Sequence, residues 1–166
     1  MSERVDHCFE PVFDDRSRVL LLGTMPSPAS RRYNFYYSHP RNRMWQCLSR
    51  LLGEPTPETP EQKRALLLCH GIAMWDVLRS CEIDGASDAS IRSPEPNDVA
   101  GLLRSSDIRA IFTTGAKAGE LYRRYILPEC GREAAVLPST SPANAAAGMD
   151  TLLERYSVIL EYIEGL

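Results

Sequence analysis

The run Ser17-Arg18-Val19-Leu20-Leu21-Leu22-Gly23, SRVLLLG, carries four large aliphatic residues in a row with no polar alternation and is stopped by a glycine. That pattern fits a strand buried on both faces rather than one lying half in water. Outward from it, the chain alternates. NRMWQCLSRLLG (42–53) places Met44, Trp45, Leu48, Leu51 and Leu52 at helical spacing, with Gly53 marking the end. The proline-rich EPTPETP (54–60) leads to PEQKRALLLCHG (60–71), which reads as a helix with Pro60 in its first turn and Gly71 beyond its last. IAMWDVL (72–78) reads as a second strand running into a loop, and CEIDGASDASIRSPEPN (81–97) as irregular. Asn97 is placed as the cap of a helix over DVAGLLRSS (98–106). IRAIFTTG (108–115) is the third strand, followed by a helix over 116–127 that stops at Pro128, and EAAVLPSTSP (133–142) is the fourth strand, ending in a polar loop. Leu152, Leu153, Tyr156, Ile159, Leu160 and Ile163 share one face of a final helix. Strands alternating with helices imply right-handed crossovers and a mainly parallel sheet covered on both sides, in one domain spanning 1–166.

At 166 residues, 43% of them hydrophobic, the chain is long enough for one ordinary core. Its net charge of -3 argues against a protein that coats nucleic acid, but the distribution matters more than the sum. Between Arg16 and Arg50 there is no Asp or Glu, whereas Arg16, Arg18, Arg31, Arg32, Arg41, Arg43 and Arg50 all fall there. The five cysteines are odd in number and scattered, without a Cys-x-x-Cys, so neither a disulfide framework nor a metal or iron–sulfur centre is indicated. No cofactor is expected. The charged start MSERVDHCFEPVFDD lacks the apolar core of a signal peptide, and no run approaches a membrane span, which places the protein in the cytoplasm and away from membranes.

In a parallel sheet, ligands sit beyond the carboxyl ends of the strands. The loops leaving those ends are GTMPS and its continuation, the segment after IAMWDV, TTGAKA, and PSTSPANA. A glycine closing a buried strand lets backbone amides approach a planar heterocycle or an anion. The loop is not a phosphate cradle, because neither G-x-x-x-x-G-K-[ST] nor G-x-G-x-x-G is present. Of Phe35, Tyr36 and Tyr37, at least one belongs to the core, and another is available to stack on a base. Asn42 is compatible with a helix N-cap or with a place in a site, and His39 with a packed, non-titrating role.

Taken together and in order, GTMPS, YYSHPRNRMW, GIAMWDVLRSCE, FTTGAKA and LPSTSPANA resemble the uracil-DNA glycosylase superfamily, and within it the hypoxanthine-DNA (deoxyinosine) glycosylase branch. The resemblance implies a three-layer α/β/α sandwich around a short, mainly parallel four-stranded sheet. It also implies a monomeric, monofunctional glycosylase that flips a deaminated base out of double-stranded DNA and hydrolyses its N-glycosidic bond. Carried over residue by residue, Gly23, Thr24, Met25, Pro26 and Ser27 lie under the flipped base and Tyr37 on its face, with Asn42 as the catalytic group. Arg41 and Arg43 contact phosphates. Ser139, Thr140 and Ser141 meet the DNA backbone, while Pro142, Ala143 and Asn144 supply the wedge that fills the vacated space. Ser141 followed by Pro142 also reads as a helix N-cap with proline at the first helical position.

Two departures from the superfamily pattern stand out. Its first loop usually carries an Asp or Asn that positions water, where this chain has Met25, and its last loop usually opens with His or Asn, where this chain has Leu137. Catalysis then rests on Asn42, or on stabilising a departing purine anion by fixed dipoles. Asp76, Asp84 and Asp88 could supply a carboxylate, but each reads first as structural or solvent-facing. Excision of hypoxanthine is the leading function; a uracil or mismatch glycosylase and a non-catalytic nucleic-acid-binding relative are the alternatives.

Overall fold

Strand β2 (Val19–Gly23) lies inside a four-stranded sheet whose order is β3-β2-β6-β7, with β3 spanning Ile72–Asp76, β6 Ala110–Thr114 and β7 Ala135–Leu137. Every pairing in it is parallel. The computed structural model describes residues 2–163. Val19, Leu20, Leu21 and Leu22 are all fully buried, and they divide alternately between two cores. Each such side chain contributes about 1.5–3 kcal/mol relative to exposure. Val19 and Leu21 pack with α2 (Met44–Leu52), α3 (Pro60–Cys69) and α7 (Met149–Tyr156) through Met44, Leu48, Leu67, Leu152 and Tyr156. Leu20 and Leu22 pack on the other side with α4 (Val99–Arg104) and α5 (Ala116–Leu121) through Val99, Leu102 and Leu121. The sheet thus has helices on both faces, as the unbroken aliphatic run requires.

The segment read as irregular is not. Leu78–Ile83 (β4) and Arg92–Pro96 (β5) join Glu3–Asp6 (β1) in a second, antiparallel sheet of order β1-β4-β5. Val5, Cys81 and Ile83 from this sheet close the core on the Leu20/Leu22 side. Asn97 is not the cap of α4: Asp98 accepts the Gly101 N–H and fills that role. Asn97 is buried instead and donates from Nδ2 to the carbonyls of Asp76 (2.9 Å) and Leu78 (3.0 Å), bracing the corner where β3 hands over to β4.

Other boundaries shift for local reasons. The helix after β6 does not stop before Pro128 but widens into a π turn over Tyr122–Ile126 and continues to Cys130. A wider turn absorbs a residue that has no N–H to give and whose ring collides with an α-helical carbonyl. After GTMPS a short helix α1 (Pro28–Tyr33), which the sequence did not suggest, is capped by Ser27, whose hydroxyl accepts the Ser30 N–H at 3.1 Å. No helix begins at Ser141. The chain stays in turns there, the Ser141 hydroxyl accepting the Ala143 N–H at 3.1 Å, and α7 starts only at Met149. Among the described residues no helix is long and apolar enough to cross a membrane.

Candidate active site

The carboxyl ends of β2, β3 and β6 bring Gly23, Asp76 and Thr114 side by side, and β2 pairs in a register that sets Gly23 opposite Asp76. Above them opens a pocket of about 310 Å3, at the lower end of the roughly 300–1,000 Å3 usual for small-ligand sites. It is lined by Gly23 through Ser27, by Tyr37 and Asn42, and by Ser139 through Ala143. Segments far apart in the chain therefore meet here. Arg41, Arg43 and Asn144 do not line it.

Gly23 is needed for closeness rather than for an unusual backbone angle. A Cβ on it would lie 2.9 Å from the Tyr37 hydroxyl and collide with Asp76 Oδ1. Tyr37 itself is held at φ 52°, a left-handed conformation costly for a bulky residue, and its hydroxyl hydrogen-bonds Thr114 Oγ1 at 2.8 Å. Burial, chiefly, pushes its phenol pKa upward, with the Asp76 charge adding to the effect, so it remains neutral. Phe35 packs into the core, and the buried Tyr36, which also lines the pocket, donates to the Glu10 carbonyl at 2.8 Å. Ser27 is partly occupied with capping α1, and Met25 packs against the apolar core as it lines the pocket.

Asn42 precedes α2, and its side-chain oxygen accepts from the Met44 N–H at 2.9 Å and from the Thr140 hydroxyl at 2.8 Å. A backbone N–H only donates, so the atom facing it is the amide oxygen, and with two donors both of its lone pairs are filled. The Nδ2 hydrogens have no protein partner among the described residues. Asn42 therefore presents a pair of donors and has no acceptor left to offer. Its cap-like bond and its place in the pocket coexist.

The 138–147 loop is stitched to the same turn. Arg43 N–H donates to the Thr140 carbonyl at 3.1 Å, and its guanidinium donates to the carbonyls of Ser141 (3.1 Å), Asn144 (3.0 Å) and Ala147. Bonds from a charged donor are worth about 1.5–3 kcal/mol each in such settings. The guanidinium of Arg43, expected to contact phosphate, is thus engaged with carbonyls of its own chain. Thr140, expected to meet a DNA backbone, is a residue only 1% exposed, and its hydroxyl donates to Asn42. Asn144 Nδ2 donates to the Ser139 carbonyl at 2.9 Å and Tyr156 to the Pro138 carbonyl at 2.6 Å, shaping the loop from within. Arg41 is exposed, and its guanidinium has no protein partner among the described residues. His39 accepts the Arg41 N–H on Nδ1 at 3.1 Å and sits at the rim.

Asp76 is not solvent-facing, and both a structural tie and a place in the pocket are open to it. It is 4% exposed, lines the pocket floor, and meets His7 Nε2 through Oδ2 at 2.9 Å. The imidazole lies against Phe9 and Tyr36, with ring centroids at 4.9 and 5.9 Å. Oδ1 is left on the Gly23 side without a protein partner among the described residues. The available signal was positional: a carboxylate ending an apolar strand, in register with the glycine that ends the next. Asp88, on the 84–90 loop at the mouth, also lines the pocket, and burial raises its carboxyl pKa despite a partly opposing Lys117 charge. Among the described residues no three His, Cys, Asp or Glu side chains gather as a metal-ligand set.

Comparison with known proteins bears on this geometry. Residues 10–164 match the family model for the uracil DNA glycosylase superfamily. A protein of Methanosarcina acetivorans named hypoxanthine DNA glycosylase is 36% identical over 138 residues, covering 82% of this chain and 86% of that protein. One of Methanosarcina barkeri with the same name is 33% identical over equal shares. The solution NMR structure of a candidate uracil DNA glycosylase from M. acetivorans superposes with a TM-score of 0.82 at 32% identity, covering 99% of each chain.

Proposed function

The chain belongs to the uracil DNA glycosylase superfamily, and from that premise we propose that its pocket receives a deaminated base, hypoxanthine foremost, flipped out of duplex DNA. The protein is a DNA glycosylase: it hydrolyses the bond between base and sugar. In that reaction water adds at C1′, the C1′–N bond breaks with its electron pair going to the base, and a free base and an abasic sugar result. The observation that carries the assignment of roles is the convergence of a fixed donor, Asn42 Nδ2, and a buried acceptor, Asp76 Oδ1, in one cavity.

Each role follows from charge. As the bond breaks, negative charge grows on the base, and preoriented donors stabilise it more than they stabilise the ground state. Asn42, with its oxygen already saturated, serves as such a donor; this favours leaving-group stabilisation over water activation. Asp76 accepts the ring N–H that sits beside the carbonyl of hypoxanthine or uracil. Adenine and cytosine present a bare nitrogen at that point, and a lone pair facing a carboxylate is repelled. His7 holds the carboxylate in place. Tyr37 covers the base face, Gly23 to Ser27 lie beneath it, and Ser139, Ser141 and Pro142 to Asn144 meet the strand as the loop enters the groove. Arg41 supplies the phosphate contact. The pocket is complete within one chain, which supports action as a single-domain monomer, and the unpaired cysteines suit a reducing, cytoplasmic compartment.

The test is a gel assay on duplexes bearing one inosine or one uracil, with alkali to break abasic sites. Inosine strands are cut with the greater efficiency. Stronger excision of uracil moves the assignment to that base, and binding without excision of either overturns the catalytic reading.

A further inference from the structure

The hydrogen bonds that orient Asn42 come from two unlike sources. One is the N–H of Met44, two residues on in the first turn of α2, and it is present whenever the helix is formed. The other is the hydroxyl of Thr140, 98 positions away on a loop that also lines the pocket. Only the second depends on where that loop sits. The loop is held by Arg43, the residue next to Asn42, through one backbone N–H and a guanidinium that reaches three of its carbonyls. Consecutive residues of one turn therefore read the loop's position and present the amide.

We infer that Thr140 is a positioning residue: its buried hydroxyl, carried on the loop that enters DNA, holds Asn42 with both Nδ2 hydrogens toward the base, so that seating the loop and orienting the amide are one event. The inference rests on the roles given above to Asn42 and to the loop. Without the hydroxyl, one lone pair of Oδ1 is unfilled and the Met44 N–H alone holds the oxygen, so rotation about the Cβ–Cγ bond is less tightly restrained. The preoriented donor becomes one orientation among several, which weakens it only where charge develops. Ground-state binding of duplex is untouched, because the Thr140 hydroxyl faces inward at 1% exposure.

Single-turnover excision from inosine duplex, alongside affinity for undamaged duplex, is measured for Thr140→Val, Thr140→Ala, Thr140→Ser, Asn42→Ala and Asn42→Ala/Thr140→Val, each checked for its melting temperature. Thr140→Val keeps the shape and removes the hydroxyl, Thr140→Ala serves if valine unfolds the chain, and Thr140→Ser returns the donor. The rate constant falls on the order of tenfold in the valine or alanine variant, affinity stays within about twofold, and serine restores most of the rate. In the Asn42→Ala background the second substitution has no further effect, a coupling that a merely structural role does not produce. An unchanged rate in Thr140→Val, or an equal loss with Asn42 already gone, overturns the inference. A second readout is independent of activity: the side-chain amide signals of Asn42, identified by their loss in Asn42→Ala, shift in Thr140→Val and return in Thr140→Ser. Should the wild type fail to excise inosine, the functional reading falls while these signals still decide the positioning role, which is refuted if they do not move.

Discussion

The two walls of the pocket are built by different means. On the strand-end wall, Gly23, Asp76 and Thr114 are termini of neighbouring parallel strands, spaced by the sheet itself and packed so closely that a methyl group on Gly23 has no room. On the loop wall, Asn42 and the 138–147 segment have no ladder between them and are held by side-chain bonds to carbonyls and one hydroxyl. A sheet terminus has little freedom to reorient, which suits the reading of a base edge. A stitched loop can be displaced and reseated, which suits an element that must enter a duplex. On the reading proposed above, recognition falls to the wall spaced by the sheet and the reacting donor to the wall held by the loop.

The largest effect that would sharpen this division is on the loop wall. Asn42→Ala should lower single-turnover excision at least roughly a hundredfold, about 2.7 kcal/mol of transition-state stabilisation, with duplex affinity nearly intact. If it loses melting temperature but keeps its rate per folded molecule, Asn42 is only a cap. A smaller effect belongs to the strand-end wall. In Asp76→Asn, His7 keeps the amide oxygen as its partner, so the NH2 turns to the pocket and a donor replaces an acceptor. Inosine excision should fall on the order of tenfold, a loss typical of one misplaced hydrogen bond, with no change in binding to undamaged duplex; an equal fall in both would break the division between walls. The smallest lies outside both walls. Arg41→Ala should weaken damaged and undamaged duplex alike and flatten the log-log salt dependence by about 0.9, and a slope that stays put assigns Arg41 to solvent.

The parallel sheet was legible because each of its strands buries both faces or ends at a turn signal, as Val19–Gly23 and Ala110–Thr114 do. The antiparallel sheet was not. Its β5, RSPEP, carries two prolines and its β1, ERVD, is mostly charged, so both are permitted only as edges completed by β4. The site divides in the same way. Gly23, Tyr37 and Asn42 sit in short contiguous blocks that carry the resemblance, and all three line the pocket. The burial of Asp76 depends on His7, 69 positions earlier, and the duty of Arg43 depends on carbonyls about a hundred positions later, neither of which leaves a local trace. Arginine content alone suggested phosphates, whereas geometry separates Arg41, which is uncommitted, from Arg43, which is spent.

The partnership of His7 with Asp76 also ties distant parts of the chain together. The imidazole rides just past β1, which pairs with β4 alone among the described residues, and the His7 N–H reaches the Arg79 carbonyl at 2.7 Å. This strand precedes both the strand it pairs with and the carboxylate it steadies, the latter by 69 positions. Their pairing closes a long chain loop, and a longer closure costs more conformational entropy. The floor of the pocket is therefore tied to the β1 segment: pulling that segment away takes the partner of Asp76 with it, whereas the four parallel strands keep their own ladder.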